Sequence, residues 1–552
     1  MLDLGVAKIL RGITRNRALV CPILVCIIFV SATLPQQTRS PSVQTDSVLQ
    51  QATLLLQSGK QGEAESLLTE YLATSPKDLK AKVLLAVVFD QQSRTVEAES
   101  IYREVLQLNP NEVSALANFG VLLVRSSRQD EALKLFEKVL LLQPNHRQAA
   151  YNLSALYLAK NEKKKALRLL EGLAGITLQN RVPKTEDPEV LFALTKAYVV
   201  DGQTGEAVKI AEILETLKSD DDRFLFTLGL VLAEGGEYKK AASLFEKVNG
   251  RVPGKFEVLY NLGIAYYNLN DLEESRAVLQ RAADLNPNAA EVFYRLGLVA
   301  LAKNEAENAV GLWLKAVELS PSFHEANFLI AEELFKRQAY VGAQPFYEKA
   351  ALLQPENLLY QIRLIVTYIR LQQYDKARPI FDREGRKHPD NLNLTYLKGF
   401  LARAEGNYDE AIVNFDKVLK MSPNNPDALA NLGFLFSERG QYEKAESFLR
   451  LAIKEDPKIF TAHYELGRLL LRQKRINEAV TILERGAVLN KQDPGVRYQL
   501  FIAYSRLKQK DKADTNFAEF KRLEKASART GASATLGDKT EEIPASVVHP
   551  KP

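Results

Sequence analysis

Proline recurs at a fixed step along most of this chain. It stands at positions 76, 110 and 144, and again at 253, 287, 321, 355, 389, 423 and 457, with 34 residues between neighbours inside each series. A strict period of that length constrains the fold more than composition does. Each period is one structural unit that cannot bury its apolar faces alone, and stacked neighbours bury them in turn. The usual division of 552 residues into domains of ~150 therefore gives way to one repeating core.

Aligned on this step, repeats begin at 45, 79, 113, 147, 188, 222, 256, 290, 324, 358, 392, 426, 460 and 494. The twentieth position is alanine in thirteen of the fourteen, Ser275 being the exception. Only a small side chain fits where two helices of one hairpin approach closely. The eighth position obeys the same rule, with Gly120, Gly229, Gly263, Gly297, Gly399, Gly433 and Gly467. Larger residues take other core seats: Phe136, Phe245, Trp313, Phe381, Phe415 and Phe517 at the twenty-fourth position, and Tyr157, Tyr198, Tyr266, Tyr368 and Tyr504 at the eleventh. Each unit holds two amphipathic segments of ~14 residues joined by short turns, such as Asn268–Asp271 and Ala404–Asn407.

These positions resemble the tetratricopeptide repeat family over roughly residues 45–526, and the fullest single match runs from Leu259 to Pro287. The family's tryptophan at the fourth position is missing; Leu116, Leu225, Leu259, Phe293 and Leu429 stand there. The resemblance implies an all-α fold, a right-handed superhelical solenoid of about fourteen helix–turn–helix repeats.

Three stretches fall outside the period. Residues 1–17 are basic and residues 18–34 carry no charge, followed by a polar, proline-containing segment. That is the layout of an export signal, and Val30-Ser31-Ala32 suits cleavage after Ala32. An uncleaved signal anchor is the other reading, although the apolar run is short for a span of ~20 residues and contains Pro22. Either way the bulk of the chain lies outside the cytoplasm, periplasmic or anchored to the inner membrane and facing the periplasm. The chain's two cysteines, Cys21 and Cys26, follow valines rather than the small residue a lipidated cysteine requires. Residues 33–44 read as a linker. Residues 175–187, with Pro183 and no helical period, separate repeats 45–174 from repeats 188–526 as a loop elaboration or a hinge. The last repeat ends in a charged helix suited to a cap, and residues 527–552 read as a disordered tail.

Catalytic chemistry is not in view. Beyond residue 32 there is no cysteine, and the five histidines are scattered with no metal-ligand spacing. No glycine-rich phosphate loop occurs, and the residues left after the repeats are too few for a catalytic domain. The expectation is no enzyme, no cofactor and no metal. Most of the formal charge of +5 comes from Lys8, Arg11, Arg15 and Arg17. The rest of the chain is nearly neutral and gives no basic face for nucleic acid.

What remains is protein binding. In the family named above, positions two, five, nine and twelve of the first helix face the concave groove. The fifth position reads Tyr151, Phe192, Phe226, Tyr260, Tyr294, Phe328, Ile362, Tyr396, Ala430, Tyr464 and Tyr498, nine of eleven being aromatic. Aromatic rings anchor partners well, but rings here also pack on the next repeat. Asn118, Asn152, Asn261 and Asn431 recur at the sixth position, placed to hydrogen-bond an extended peptide backbone or to cap nearby turns. Glu189, Glu257, Glu291, Glu325 and Asp427 form an acidic row at the second. The leading expectation is a scaffold or adaptor of the cell envelope that binds partner segments in this groove. The alternative is an accessory or specificity subunit of a separately encoded glycosyltransferase or polysaccharide-export machine.

Overall fold

A computed structural model describes residues 42–529. The export segment, and the tail beyond its first residues, lie outside them. Among the described residues there are 28 helices and no strand. They come in pairs, for example Leu79–Gln91 with Thr95–Leu108, and Leu358–Arg370 with Tyr374–Lys387.

From the second repeat onward, every first helix starts where the 34-residue alignment puts a repeat start: Leu79, Val113, Arg147, Pro188, Asp222 and so on to Pro494. Local chemistry sets these starts. Asp78, Asn357, Asn391, Asn425 and Asp493 each stand just before a first helix, and their side-chain oxygens accept from amides of its first turn. That satisfies donors which a helix start otherwise leaves open. The second helix stops two residues before the periodic proline, as at Leu108 before Pro110, because proline supplies no amide to carry it on.

Between the two helices of every hairpin one residue turns left-handed, always the fifteenth of the repeat. It is glycine at 59, 202, 236, 406 and 440, asparagine at 161, 270 and 304, serine at 93 and 127, glutamine at 338 and 372, and lysine at 474 and 508.

The eighth and twenty-fourth positions are complementary inside each hairpin. A Cβ added to Gly229 would lie 2.6 Å from the Phe245 ring, and one added to Gly120 would lie 2.7 Å from Phe136. The ring occupies the space a side chain would need. Ala64, Ala132, Ala241, Ala343 and Ala411 at the twentieth position are fully buried.

Where the eleventh position is tyrosine, it ties its repeat to the one before. The hydroxyls of Tyr157, Tyr198, Tyr266, Tyr368 and Tyr504 donate to Glu137, Glu171, Glu246, Glu348 and Glu484, at 2.7, 2.8, 2.5, 2.9 and 2.5 Å. All five glutamates are twenty-fifth residues of the preceding repeat.

The chain divides into two compact units, one ending at Pro287 and the other beginning at Asn288. In the N-terminal unit the buried side chains form two clusters, with Leu158 packed against both. The segment 175–187 lies within this unit and folds back on itself. Ile176 is buried, the Lys184 amide donates to the Ala174 carbonyl at 2.8 Å, and the flanking helices Lys163–Ala174 and Pro188–Asp201 pack together. The C-terminal unit carries the remaining repeats up to the charged helix Lys510–Arg529.

Candidate functional site

In the C-terminal unit, Leu392–Ala404, Pro426–Glu438 and Phe460–Arg472 are first helices of consecutive repeats. Side chains of the three meet at one small notch, lined by Tyr396, Phe400, Arg403, Asp427, Ala430, Asn431 and Thr461. Asn431 is its hub. Its Nδ2 donates to the Tyr396 hydroxyl at 3.0 Å and to the Asp427 carbonyl at 2.8 Å. Burial, with Asp456 nearby, pushes the Asp427 carboxyl up to about 6. Burial and then the Asp427 charge raise the Tyr396 hydroxyl as well. The Arg403 guanidinium lies over Phe434, 4.7 Å from the ring centre, and 5.3 Å from that of Phe400.

The two units treat the fifth-position aromatics differently. In the N-terminal unit Tyr151, Phe192, Phe226 and Tyr260 are half-buried. Phe192 packs on Phe224, Phe226 on Phe245, and Tyr260 stacks on Phe256. In the C-terminal unit Tyr294, Phe328, Tyr396 and Tyr464 are only 3%, 2%, 2% and 5% exposed, and Tyr498 is half-buried. Phe328 stacks on Tyr360 of the following repeat at 4.5 Å, and Tyr294 packs at 4.8 Å on Phe323, which stands just before the next first helix. They serve packing between repeats rather than standing open on a groove wall.

The polar candidates separate too. Asn118 and Asn152 are half-buried, and the Asn152 Nδ2 is enclosed without an acceptor. Asn261 donates to its own helix at the Glu257 carbonyl, 2.8 Å away. Glu189 and Glu257 are exposed, while Glu291 and Glu325 are half-buried, with His324 Nε2 3.4 Å from the Glu325 carboxylate. Of the residues expected to bind, the notch brings together Tyr396, Asn431 and Asp427, from the fifth, sixth and second positions.

One buried polar group escaped the sequence reading. Arg363, 3% exposed, donates to Glu332 at 2.7 Å, and the Tyr347 hydroxyl donates to the same carboxylate at 2.5 Å. The signal was available: Glu332 and Glu333 occupy positions nine and ten of a first helix, where apolar residues prevail in the other repeats. Among the described residues no cluster of three or more His, Cys, Asp or Glu is placed to hold a metal ion, and no helix is long and apolar enough to cross a membrane.

Models of the tetratricopeptide repeat match the chain along much of its length. One matches residues 55–119, 232–301, 402–459 and 438–498, and a second with the same description matches 118–177 and 362–426. Together they cover more than half of the sequence. The chain belongs to the tetratricopeptide repeat family. A tetratricopeptide repeat array is a scaffold for protein–protein interaction, typically without catalysis of its own, and this chain falls in that class. No curated protein matches the chain. Among solved structures it is similar to yeast Tom70, at 17% identity over 80% of this chain and 99% of that one, with a TM-score of 0.32. It is also similar to the APC/C hetero-tetramer Cut9–Hcn1, at 14% identity over 83% and 96% with a TM-score of 0.35. MamA from Desulfovibrio magneticus RS-1 is 26% identical over 32% of this chain and 96% of its own, with a TM-score of 0.27.

Proposed function

We propose that this tetratricopeptide repeat protein is an exported scaffold of the cell envelope that holds an extended segment of a partner protein against the first-helix stripe. The observation that carries the reading is the notch. Side chains from stripe positions of three consecutive first helices converge there, around an amide suited to bonding a peptide backbone. The basic and apolar pattern of residues 1–32 supports export.

Site-specific photo-crosslinking tests the groove. A photoreactive phenylalanine analogue at Thr461, on the notch, is expected to trap a discrete partner in envelope extract. The same analogue at Val413, 67% exposed on a second helix, is expected to trap none. Adducts from position 413 alone, or none from either, would sink the reading. Export has its own test: N-terminal sequencing of the envelope protein is expected to begin at Thr33. Intact Met1 in membranes would establish the anchor instead.

A further inference from the structure

We propose that the cleft between the last two second helices is a seat for the chain's own segment 538–548, held there through its carboxylates. The inference goes beyond the groove reading, since this cleft shares no residue with the notch.

The cleft runs between Ile476–Leu489 and Lys510–Arg529, with Pro494–Arg506 as its floor. Two of its residues break the repeat pattern. Arg497 stands at the fourth position, which Leu225, Leu259 and Leu429 fill in other repeats. Asn516 stands at the twenty-third, which Leu135, Leu244 and Ile482 fill elsewhere. A guanidinium and an amide thus replace apolar filling at the end of the array. Asn516 Nδ2 donates to the Lys512 carbonyl at 2.9 Å, so its Oδ1 is the atom turned toward Arg497, 3.5 Å from Nη1. That long contact uses little of a fork with five donors, and the Nε is enclosed without an acceptor.

The acids already in the cleft are committed to other groups. Glu484 accepts from the Tyr504 hydroxyl at 2.5 Å, and both oxygens of Glu519 are taken by Arg522, at 2.7 and 2.8 Å. Arg522 holds the Glu519 carboxyl below the usual carboxylate range, with a smaller pull from Arg497 at longer range. Arg497 and Lys491 therefore line the cleft as cations with no carboxylate in contact among the described residues. Between them and solvent stands Val488, an apolar wall residue that is 70% exposed.

The chain itself carries the complement. It runs on for 23 residues after Arg529, the last described residue. Asp538, Glu541 and Glu542 lie there around a single Lys539, and Ile543, Val547 and Val548 follow at once. Carboxylates suit the guanidinium and the ammonium, and the apolar residues suit Val488. The tether reaches: Arg522 lines the cleft, and seven helical residues carry the chain only about 10 Å past it. The twelve residues from 529 to 541 span up to roughly 40 Å when extended. A tethered segment also acts at an effective concentration on the order of millimolar, so a modest contact keeps it seated where a free acidic peptide would not stay.

The test is photo-crosslinking of the full chain from a benzoylphenylalanine at Val488, followed by trypsin digestion and mass spectrometry. Adducts within one chain are expected on the tryptic peptide that begins at Thr540. Glu541→Gln with Glu542→Gln, and separately Arg497→Gln, are each expected to lower that yield at least fivefold with circular dichroism unchanged. Arg497→Glu combined with Glu541→Lys and Glu542→Lys is expected to restore it, which a merely destabilised cleft would not do. No adduct on that peptide, an unchanged yield in the glutamine variants, or no recovery in the charge swap would each overturn the proposal. Adducts joining isotopically light and heavy chains would place a second copy in the cleft and overturn it as well.

Discussion

Among the described residues, the fourteen turns inside hairpins each place one residue in the left-handed region, and nine of these residues are not glycine. Left-handed backbone costs an ordinary residue roughly 1 kcal/mol or more, which glycine avoids. Gln372 is exposed at φ 56°, so Gln372→Gly is expected to raise stability by about 0.5–1 kcal/mol, read as an upward shift in the denaturation midpoint. Such turns are legible where they are spelled with glycine or asparagine, as at Gly406 and Asn270. Gln338, Gln372, Lys474 and Lys508 are good helix formers and hide the same conformation. Asp427 gives a second expectation at this scale. Its carboxyl is raised to about 6 in the folded chain, so protonation favours folding. That contribution is fully present below the unfolded value of roughly 3.9 and is lost as pH rises through 6. Asp427→Asn should therefore melt higher than the parent at pH 7.5, by on the order of 2 kcal/mol, with the two curves converging near pH 4. A parent that stays less stable at pH 4 would mean the carboxylate is not the cause. The notch residues were legible one by one, since Tyr396, Asp427 and Asn431 sit at fixed repeat positions. Their meeting point was not, because it depends on how three first helices pack.

Helix boundaries were readable where local signals coincide: the periodic proline after most second helices, glycine or asparagine at the fifteenth position, and a capping Asp or Asn before some first helices. The face that each first helix shows was harder to read. An aromatic at the fifth position has the same spelling in Tyr260, which is half-buried, and in Phe328, which is enclosed. What separates them is the next repeat's contribution, such as Tyr360 stacking on Phe328, and no single repeat's pattern contains it. The tyrosine–glutamate tie between hairpins could have been found, since both residues recur in phase. It also makes an element-level prediction. Tyr368→Phe removes the hydroxyl that donates to Glu348 while keeping the buried ring. It is expected to cost about 1 kcal/mol. Amide exchange should quicken in Tyr340–Leu353 and Leu358–Arg370, while the N-terminal unit exchanges as before. Uniform quickening over both units would show that the tie is not local.

For the whole molecule, the period breaks at 175–187, and a boundary between compact units falls at Pro287–Asn288, inside an unbroken run of repeats. Periodicity reports the length of each unit. Compactness depends on packing between neighbouring hairpins, which a regular spelling does not reveal. The N-terminal unit contains its own buried clusters, so a fragment of residues 42–287 is expected to keep its helical signal and a cooperative melt by circular dichroism. A fragment without either would show that the unit depends on the rest of the chain. The tyrosine–glutamate tie also bears on how such a chain changes over time. Each tie reaches back one repeat, and for Glu171 and Glu246 the residue one period earlier is again glutamate, Glu137 and Glu212. An in-phase loss or duplication of 34 residues within a unit therefore hands the next tyrosine an equivalent neighbour wherever that glutamate recurs. Length is then a trait that ancestry can revise in whole steps, without rewriting the residues on either side of the join.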